Sequence, residues 1–380
     1  MIRLYLVAGE LSGDAHGAAL MRDIAAQSTV PVQFSGAGGP EMQRLAGKNF
    51  TEWTSHAVVG LWEVIKNYGY FRSQFHRMIA EIGQVQPDAV ILIDYPGFNL
   101  RLAKALRAKF PKLKIIYYIS PQVWAWNRGR IPKMAKWLDL MICLFPFEKD
   151  LYDRSGLRTE FAGHPMLDEL EKKRIPGVER DSHLIGLFPG SREREIRKIF
   201  PIMLEAAQLL AEKHPQLRFA VPAASEKLES LIRSMIPPGL ASEVQLRTSA
   251  TLMQTCAAGL IASGTATLEA TFFNLPYALI YKVSPLTYEV GRRVIRVPFL
   301  GMANILAGRE VIPEFIQQNA RPDLIVAALE PMIFNPIRRA QLDADLKSVI
   351  ATLGSRGASH RAAAAVLKCL GNVSQSPVQT

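Results

Sequence analysis

Acidic and hydroxyl side chains follow the first strand-like segment, in the loop from Gly9 to Asp14. Glu10, Ser12 and Asp14 stand there just before a helical pattern, where they could bind a hydroxyl group of an acceptor substrate or cap the helix. The loop has neither the GxGxxG fingerprint of dinucleotide-binding proteins nor the GK[ST] of ATPase phosphate loops. The sequence therefore disfavours a dehydrogenase or a kinase and leaves both roles of the loop open.

A second carboxylate, Asp94, ends the apolar run Ala89–Ile93 and precedes a Pro-Gly turn. Partial burial at the end of a strand raises the pKa of a carboxyl group toward the range in which it works as a general base. Structural acids also occur at such positions. We expect Asp94 to be functional, because it stands at the mouth of the predicted substrate cleft.

Two glycine turns have the composition of anion-binding sites. In the first, Gly190, Ser191 and Arg192 lead from a strand pattern into a long helical pattern, with Ser191 as the expected N-cap. Glycine permits close approach of a phosphate, a helix N-terminus offers free N–H groups, and arginine neutralises charge on a leaving diphosphate. An ordinary turn before a solvated helix face is the alternative, and the combination of residues favours anion binding.

The second glycine turn lies in Ser263–Glu269, which has the sequence SGTATLE. Ser263, Gly264 and Thr265 again stand between a small-residue strand and a helix, so a phosphate bound there would leave Glu269 within reach of ribose hydroxyls. A capping box formed by Thr265 explains the spacing equally well. The spacing alone does not decide between the two.

Aromatic and basic residues alternate in two stretches, Asn67–Met78 and Val123–Trp137. Such stretches suit a membrane interface, where aromatic rings lie among the headgroups and bases meet anionic lipid. They also suit stacked nucleic acid bases, or a hydrophobic core that takes up half of the aromatic rings. We favour a membrane surface for the first stretch.

The histidines and cysteines do not indicate a metal or a redox site. The seven histidines show no HExxH or other ligand spacing, and the three cysteines lack the close spacing of a zinc knuckle or a CxxC motif. Considered by itself, His164 lies in a Gly-His-Pro turn and is typical of a structural histidine. We expect no metal and no cofactor.

The elements that must position these residues are short apolar runs alternating with longer helical patterns, which predict parallel sheets covered by helices in an α/β fold. In an open parallel sheet, ligands bind beyond the carboxyl ends of the strands, where the residues above stand. Strands are predicted at Leu4–Ala8, Ala89–Ile93, Ile115–Ile119, Leu140–Leu144, Leu184–Phe188, Arg218–Val221, Gly259–Ala262 and Tyr277–Ile280.

The strand pattern stops in the polar stretch Leu167–Ser182 and then restarts, which predicts two tandem Rossmann-like domains that face a shared cleft. We expect the first domain at 1–170 and the second domain at 183–322. All-helical patterns follow at 323–370, and 371–380 resembles a disordered polar tail.

Length and charge agree with this organisation. The 380 residues predict two domains at about 150 residues each. The net charge of +11 predicts a surface that attracts phosphate groups of nucleotides, nucleic acid or anionic lipid. The chain starts without the pattern of a signal peptide, and no apolar run reaches the roughly 18 residues of a spanning helix. We expect a cytoplasmic protein whose membrane contact is peripheral.

Eight motifs in register resemble those of the lipid-A-disaccharide synthase family, from Leu4 to about Ile316. They are VAGELSGD (7–14), DYPGFN (94–99), SPQVWAW (120–126), LFPFEK (144–149), GHPMLDE (163–169), LFPGSR (187–192), SGTATLE (263–269) and NILAGRE (304–310). Eight motifs in order are far more specific than any one of them.

The resemblance implies the two-Rossmann glycosyltransferase fold called GT-B and an inverting reaction without a metal. It implies that the domain at 1–170 faces the acceptor and the membrane and that the domain at 183–322 binds the UDP-sugar. The family joins UDP-2,3-diacylglucosamine to the 6-hydroxyl of 2,3-diacylglucosamine 1-phosphate in lipid A synthesis, which gives a β-1,6-linked disaccharide 1-phosphate and UDP. It also implies a homodimer. Together with the composition, these acylated substrates predict a place on the inner face of the cytoplasmic membrane, with no nucleic acid partner.

By the same resemblance, Asp94 is essential and is the expected base for the acceptor hydroxyl, with Glu10 as its competitor. Arg192 would stabilise the departing UDP, and Ser12 and Asp14 would belong to the acceptor loop. The residues expected around the donor are Gly190, Ser191, Ser263, Gly264, Thr265, Glu269 and Asn304.

Two departures from the family pattern are modest: Ala303 stands where the family usually has proline, and Gly97 stands where a second aspartate is common. The second departure supports Asp94 as the base, since Gly97 cannot share that role. Two other functions compete: another UDP-sugar enzyme of this fold, such as a soluble glycosyltransferase or a 2-epimerase, and a basic nucleic-acid- or membrane-binding protein without catalysis.

Overall fold

The computed structural model describes residues 1–54 and 68–371, which form two compact units. The first unit combines Met1–Pro165 with the C-terminal segment that begins at Leu353, and the second unit is Met166–Thr352. The expected C-terminal helical segment, 323–370, is thus shared between the units. The expected tail, 371–380, lies outside the described residues except for Gly371.

The first unit contains a seven-stranded parallel sheet in the order β3-β2-β1-β4-β5-β6-β7. Its strands are β1 Ile2–Ala8, β2 Val32–Gly38, β3 Phe50–Glu52, β4 Ala89–Ile93, β5 Lys114–Tyr118, β6 Leu140–Cys143 and β7 Thr159–Phe161. Its α-helices are α1 Leu11–Gln27, α2 Pro40–Ala46, α3 Tyr68–Val85, α4 Pro96–Lys109, α5 Val123–Trp126, α6 Ile131–Trp137, α7 Pro146–Asp153 and, from the C-terminus, α17 Ala358–Cys369.

The second unit contains a six-stranded parallel sheet in the order β10-β9-β8-β11-β12-β13. Its strands are β8 Asp181–Phe188, β9 Arg218–Ala223, β10 Ser242–Leu246, β11 Cys256–Ala262, β12 Tyr277–Tyr281 and β13 Glu314–Ile316. Its α-helices are α8 Met166–Glu171, α9 Glu193–Lys213, α10 Glu226–Met235, α11 Ser249–Thr255, α12 Thr265–Phe272, α13 Pro285–Val294, α14 Met302–Ala307, α15 Pro322–Phe334 and α16 Pro336–Thr352.

The strand order of each sheet explains where a ligand belongs. In the first sheet the order reverses between β1 and β4, and in the second it reverses between β8 and β11. The connections on either side of such a reversal leave a crevice at the carboxyl ends of the two central strands. Toward their carboxyl ends these strands are apolar and buried on both faces, so the residues just after them are the first that can meet a ligand.

The C-terminal helix α17 completes the first unit by covering α1. Small buried residues of α17, including Ala358, Ala362 and Ala363, allow close packing of the two helices. The Arg361 guanidinium donates to the carbonyl of Ala162, at 2.8 Å, and so ties the helix to the end of the unit's N-terminal segment.

Candidate active site

The reversal point of the first sheet brings Glu10 and Asp94 together. Ala8 of β1 pairs with Ile93 of β4, so the two acids follow neighbouring strands. Glu10 is exposed and Asp94 is half-buried. The two carboxylates that the sequence singled out therefore lie at the carboxyl ends of neighbouring strands of one sheet.

The backbone at Asp94 is held in an unusual conformation. Asp94 and the next residue, Tyr95, have φ angles of 46° and 48°, in the left-handed region that non-glycine residues rarely adopt. The Tyr117 hydroxyl donates to the Asp94 carbonyl at 2.5 Å, and the Asn99 amide donates to it at 2.9 Å. Strain of this kind persists where the surroundings enforce it and is frequent at functional sites.

The surroundings of Asp94 favour its protonated form. Burial raises the pKa of the Asp94 carboxyl, and the negative charge of Glu10 raises it further. A backbone hydrogen bond from Tyr95 acts in the opposite direction. A carboxylate with a raised pKa takes a proton more readily than an ordinary aspartate, as a general base must.

The loop after β1 shows which of its polar residues are available. Glu10 occupies the N-cap position of α1 without a side-chain capping bond, and Ser12 is exposed. Asp14 is only 2% exposed, and its carboxylate accepts backbone N–H groups of Gly39, Glu41 and Met42 at 2.9–3.0 Å. The Asp14 carboxylate thus caps helix α2, and the place of Asp14 in the acceptor loop stays a prediction.

A buried carboxylate lies beneath the neighbouring loop. Glu148 is fully buried, accepts the Trp124 indole N–H at 2.8 Å and accepts the Phe145 N–H at 3.1 Å. Burial raises the pKa of Glu148 to about 7. These bonds join the SPQVWAW and LFPFEK motifs and fix the loop that follows β5.

Burial of the His164 imidazole favours its neutral form. Its ring lies 5.4 Å from that of Phe145, and burial lowers the pKa of His164 to about 4, with a smaller contribution from the charge of His16. A histidine with that pKa carries no charge near neutral pH. This agrees with the structural role that its turn indicates.

The second unit contains a cavity of about 570 Å³ at the reversal point of its own sheet. It is formed by the loops after β8, β9 and β11 together with the starts of α9 and α12. Six predicted donor-binding residues line it, as does Arg192; the six are Gly190, Ser191, Ser263, Gly264, Thr265 and Glu269. Both glycine turns therefore contribute to one cavity.

The first glycine turn depends on Gly190. Its φ is 105°, and a Cβ atom there would stand 2.8 Å from Glu195 Oε2. The residue that caps α9 is Arg192, not Ser191 as the sequence predicted, and its side chain makes no capping bond. The Arg192 guanidinium donates to Glu195 at 2.9 Å and is otherwise largely exposed, so it remains accessible to an anion.

The second glycine turn places the start of α12 at the cavity. Gly264, with φ of 152°, is the N-cap, and no side chain caps the helix. The capping box of Thr265 is therefore not formed, and the first residues of α12, Thr265 and Ala266, line the cavity. One turn further, burial raises the pKa of Glu269, while the charge of Lys173 lowers it.

The sequence interpretation missed several residues of this cavity. Lys173 was assigned to the domain boundary, and Arg247, with φ of 54°, was not singled out. Together with Arg192 they give the cavity three basic residues, against two acidic residues, Glu195 and Glu269. The only signal in the sequence was the net positive charge, which does not specify positions.

Asn304 does not line this cavity. Its side-chain amide donates to the Ile312 carbonyl and to Glu314 Oε1, each at 2.8 Å. Its oxygen accepts the N–H groups of Val311 and Ile312. Because these four bonds use the whole amide, Asn304 has a structural role here, and its contact with the donor stays a prediction.

Most of the described aromatic residues of the two basic stretches pack against the core and stay partly exposed. Asn67 is outside the described residues, but Phe71 and Phe75 pack on Trp53 and Phe98. In the second stretch Trp124 is buried, whereas Trp126 is exposed beneath the Arg130 guanidinium. Among the described residues, no helix is long and apolar enough to span a bilayer.

Comparison with known proteins identifies the family. The model of the lipid-A-disaccharide synthetase family matches residues 4–369. The lipid-A-disaccharide synthase of Geobacter sulfurreducens is 40% identical over 377 residues, covering 97% of each chain.

Solved structures agree on the fold. The Staphylococcus aureus protein MnaA in complex with UDP matches with a TM-score of 0.64 at 12% identity, covering 100% of both chains. The UDP-GlcNAc 2-epimerase of Neisseria meningitidis, bound to UDP-GlcNAc, matches with a TM-score of 0.58 at 12% identity, covering 97% of this chain and 99% of that chain. At such identities the likeness concerns the fold alone, which is of the GT-B type. The family match decides between these activities, and the chain belongs to the lipid-A-disaccharide synthases, which are hexosyltransferases.

Proposed function

We propose that Asp94 is the general base of the glycosyl transfer and that the cavity of the second unit binds the UDP part of the donor. The raised pKa of Asp94, at the reversal point of the first sheet, is the observation that carries the first assignment. Glu10 then acts through Asp94, because its charge raises the pKa of that carboxyl. Ser12, exposed beside Glu10, is available to the acceptor.

The donor assignment rests on the charge and the helix starts of the cavity. We assign the diphosphate to the N-termini of α9 and α12, where uncapped N–H groups and the helix dipoles favour an anion. Arg192, Lys173 and Arg247 add positive charge. Glu269, one turn into α12, is assigned to the ribose hydroxyls.

These roles give a single displacement. The Asp94 carboxylate removes the proton of the acceptor 6-hydroxyl as that oxygen forms a bond to C1 of the donor sugar. The bond between C1 and the diphosphate oxygen breaks, and UDP leaves with the electron pair. Inversion requires the attacking oxygen to lie opposite the leaving group, while Arg192 and the helix N–H groups stabilise the charge on UDP.

Replacing Asp94 by asparagine tests the base. The Asp94→Asn variant should bind UDP as the wild type does and lose at least about 100-fold in turnover, since general-base catalysis contributes on that scale. Asp150→Asn, which changes an exposed acid of the same unit, is the matched control. Retained activity in Asp94→Asn would move the base role to Glu10.

The assay is mass spectrometry of the products from UDP-2,3-diacylglucosamine and 2,3-diacylglucosamine 1-phosphate in detergent micelles, with UDP release measured in parallel. A tetraacyl disaccharide 1-phosphate with equimolar UDP supports the proposal. UDP release without disaccharide indicates hydrolysis or another acceptor, and an inactive folded wild type contradicts the assignment of these substrates.

We also propose that the enzyme works at the inner face of the cytoplasmic membrane as a peripheral protein and as a homodimer. Its substrates carry acyl chains and reside in a bilayer, which is the reason for the membrane assignment. The dimer follows from the family resemblance and is tested by light scattering of the purified chain. A monomer throughout the micromolar range would contradict it.

A further inference from the structure

Helix α13, Pro285–Val294, has an exposed apolar face. Leu286, Val290 and Val294 recur every four residues and so share one face of the helix. They are 77%, 53% and 40% exposed, and α13 has no buried residue. A helix of this length gains most of its stability by burying an apolar face. The exposure of this face therefore indicates that α13 packs on a surface outside the described residues.

The border of this face is basic. Lys282, Arg292, Arg293 and Arg296 stand in and beside α13 with one acid, Glu289, which gives 282–296 a net charge of +3. Glu289 pairs with Arg292 at 3.1 Å, whereas Arg293 lies 3.9 Å from it and remains largely exposed. An apolar stripe flanked by arginines is the pattern of a helix that lies in a membrane interface.

We propose that the Leu286 face, defined as Leu286, Val290 and Val294, docks the second unit on an anionic phospholipid bilayer. The apolar side chains enter the acyl region, and Arg293 and Arg296 bind phosphate headgroups. The inference rests on the proposed function, since an enzyme with acylated substrates works at a lipid surface. It assigns that contact to α13, whereas the sequence favoured Asn67–Met78, where the rings of Phe71 and Phe75 are partly buried against Trp53 and Phe98.

Charge distinguishes a bilayer from a second copy of the chain. Two copies meeting at this face would each bring a net charge of +3 to the contact, and like charges at an interface oppose association. An anionic bilayer instead neutralises the arginines and removes the apolar side chains from water together. The observations therefore favour a lipid surface.

Vesicle flotation of the purified full-length chain tests the proposal. Wild type should bind phosphatidylcholine vesicles that contain about a third phosphatidylglycerol and should bind pure phosphatidylcholine weakly. The double variant Leu286→Ser/Val290→Ser and the variant Arg293→Glu should each lower the partition coefficient about tenfold or more. Circular dichroism checks that the variants are folded.

Matched controls change similar side chains elsewhere. Ile337→Ser removes an apolar residue that is 79% exposed on another helix, and Lys104→Glu reverses an exposed charge of the first unit. Both should bind vesicles within about twofold of wild type, since neither lies on the Leu286 face. Equal binding by the Leu286 face variants and wild type would overturn the proposal.

An environment-sensitive dye at position 286 identifies the occupant. In a Cys369→Ser background, the dye on Leu286→Cys should shift its emission to the blue when anionic vesicles are added, and the dye on Ile337→Cys should not. A shift that depends on protein concentration without lipid indicates a second copy, and a shift with an added protein alone indicates a protein partner. Either result overturns the lipid assignment.

The activity in detergent micelles separates this inference from the proposed function. Variants of the Leu286 face should keep wild-type turnover in micelles, where the substrates are dispersed, and should lose it on substrates held in vesicles. Loss in both would show that the face acts in catalysis rather than docking, which would contradict the inference. An inactive wild type with normal, face-dependent vesicle binding would contradict only the proposed function.

Discussion

Replacing Glu148 by glutamine should remove much of the pH dependence of the first unit's stability. Glu148 is fully buried, and glutamine preserves an acceptor for the Trp124 indole N–H. Burial raises the pKa of the carboxyl from 4.5 to about 7, so the native state holds this proton more tightly than the unfolded chain does. The contribution of the protonated group is complete below about pH 4.5 and is lost as the pH rises through 7.

The magnitude follows from the shift. A difference between 4.5 and about 7, at about 1.4 kcal/mol per pKa unit, corresponds to a loss of about 3 kcal/mol in the free energy of unfolding. Glu148→Gln does not titrate and should lack this loss. The difference between wild type and variant should therefore change by about 3 kcal/mol in favour of the variant as the pH rises.

Urea unfolding followed by tryptophan fluorescence measures this quantity for the first unit, because all five tryptophans precede residue 138. The titrations are made at several values between about pH 4.5 and 8, with Asp150→Asn as an exposed-acid control that should keep the wild-type slope. Parallel pH profiles of wild type and Glu148→Gln would refute the reasoning, since they would mean that Glu148 binds its proton equally in both states.

Three further substitutions address the two units. Asp14→Ala should lower the free energy of unfolding of the first unit by about 3 kcal/mol in the same urea assay, since three backbone N–H groups lose a charged acceptor; unchanged stability would contradict the capping role. Glu10→Gln should move the acid limb of the pH–rate profile to lower pH, because Glu10 raises the pKa of the catalytic carboxyl; an unmoved limb would exclude that coupling. Gly190→Ala should weaken UDP binding about tenfold or more by calorimetry, since its φ of 105° and the nearby Glu195 oppose a side chain, whereas Gly129→Ala, in open space, should not.

The sequence predicted the central strands of both sheets because they are continuous apolar runs. All eight predicted strands are present, and Ala89–Ile93 has the predicted bounds. The missed strands include Phe50–Glu52, Thr159–Phe161 and Glu314–Ile316, which have three residues each and are too short for a periodic pattern. Val32–Gly38 was missed because its serine and glycines interrupt the apolar run.

The sequence predicted those residues of the candidate site that directly follow a strand. Asp94 and the two glycine turns follow central strands, so local pattern and topology agree on their position. Lys173 and Arg247 reach the cavity through loops whose course no local pattern records. Asp14 and Asn304 bind backbone groups in the structure, and a buried polar residue of that kind has the same sequence signature as one that binds a ligand.

Because helix α17 completes the first unit, this unit is built from both ends of the chain, and that has a consequence for its synthesis. The ribosome must make the whole second unit, Met166–Thr352, before α17 can cover α1. From the end of α1 at Gln27 to the end of α17 at Cys369 the ribosome adds 369 − 27 = 342 residues. At about 5–20 residues per second, the apolar face of α1 therefore waits roughly seventeen to seventy seconds for its cover. The second unit is continuous and can fold during that interval. During this interval the N-terminal segment of the nascent chain is therefore exposed to aggregation and to chaperone binding. A premature stop before Ala358 would leave the apolar face of α1 permanently exposed to solvent.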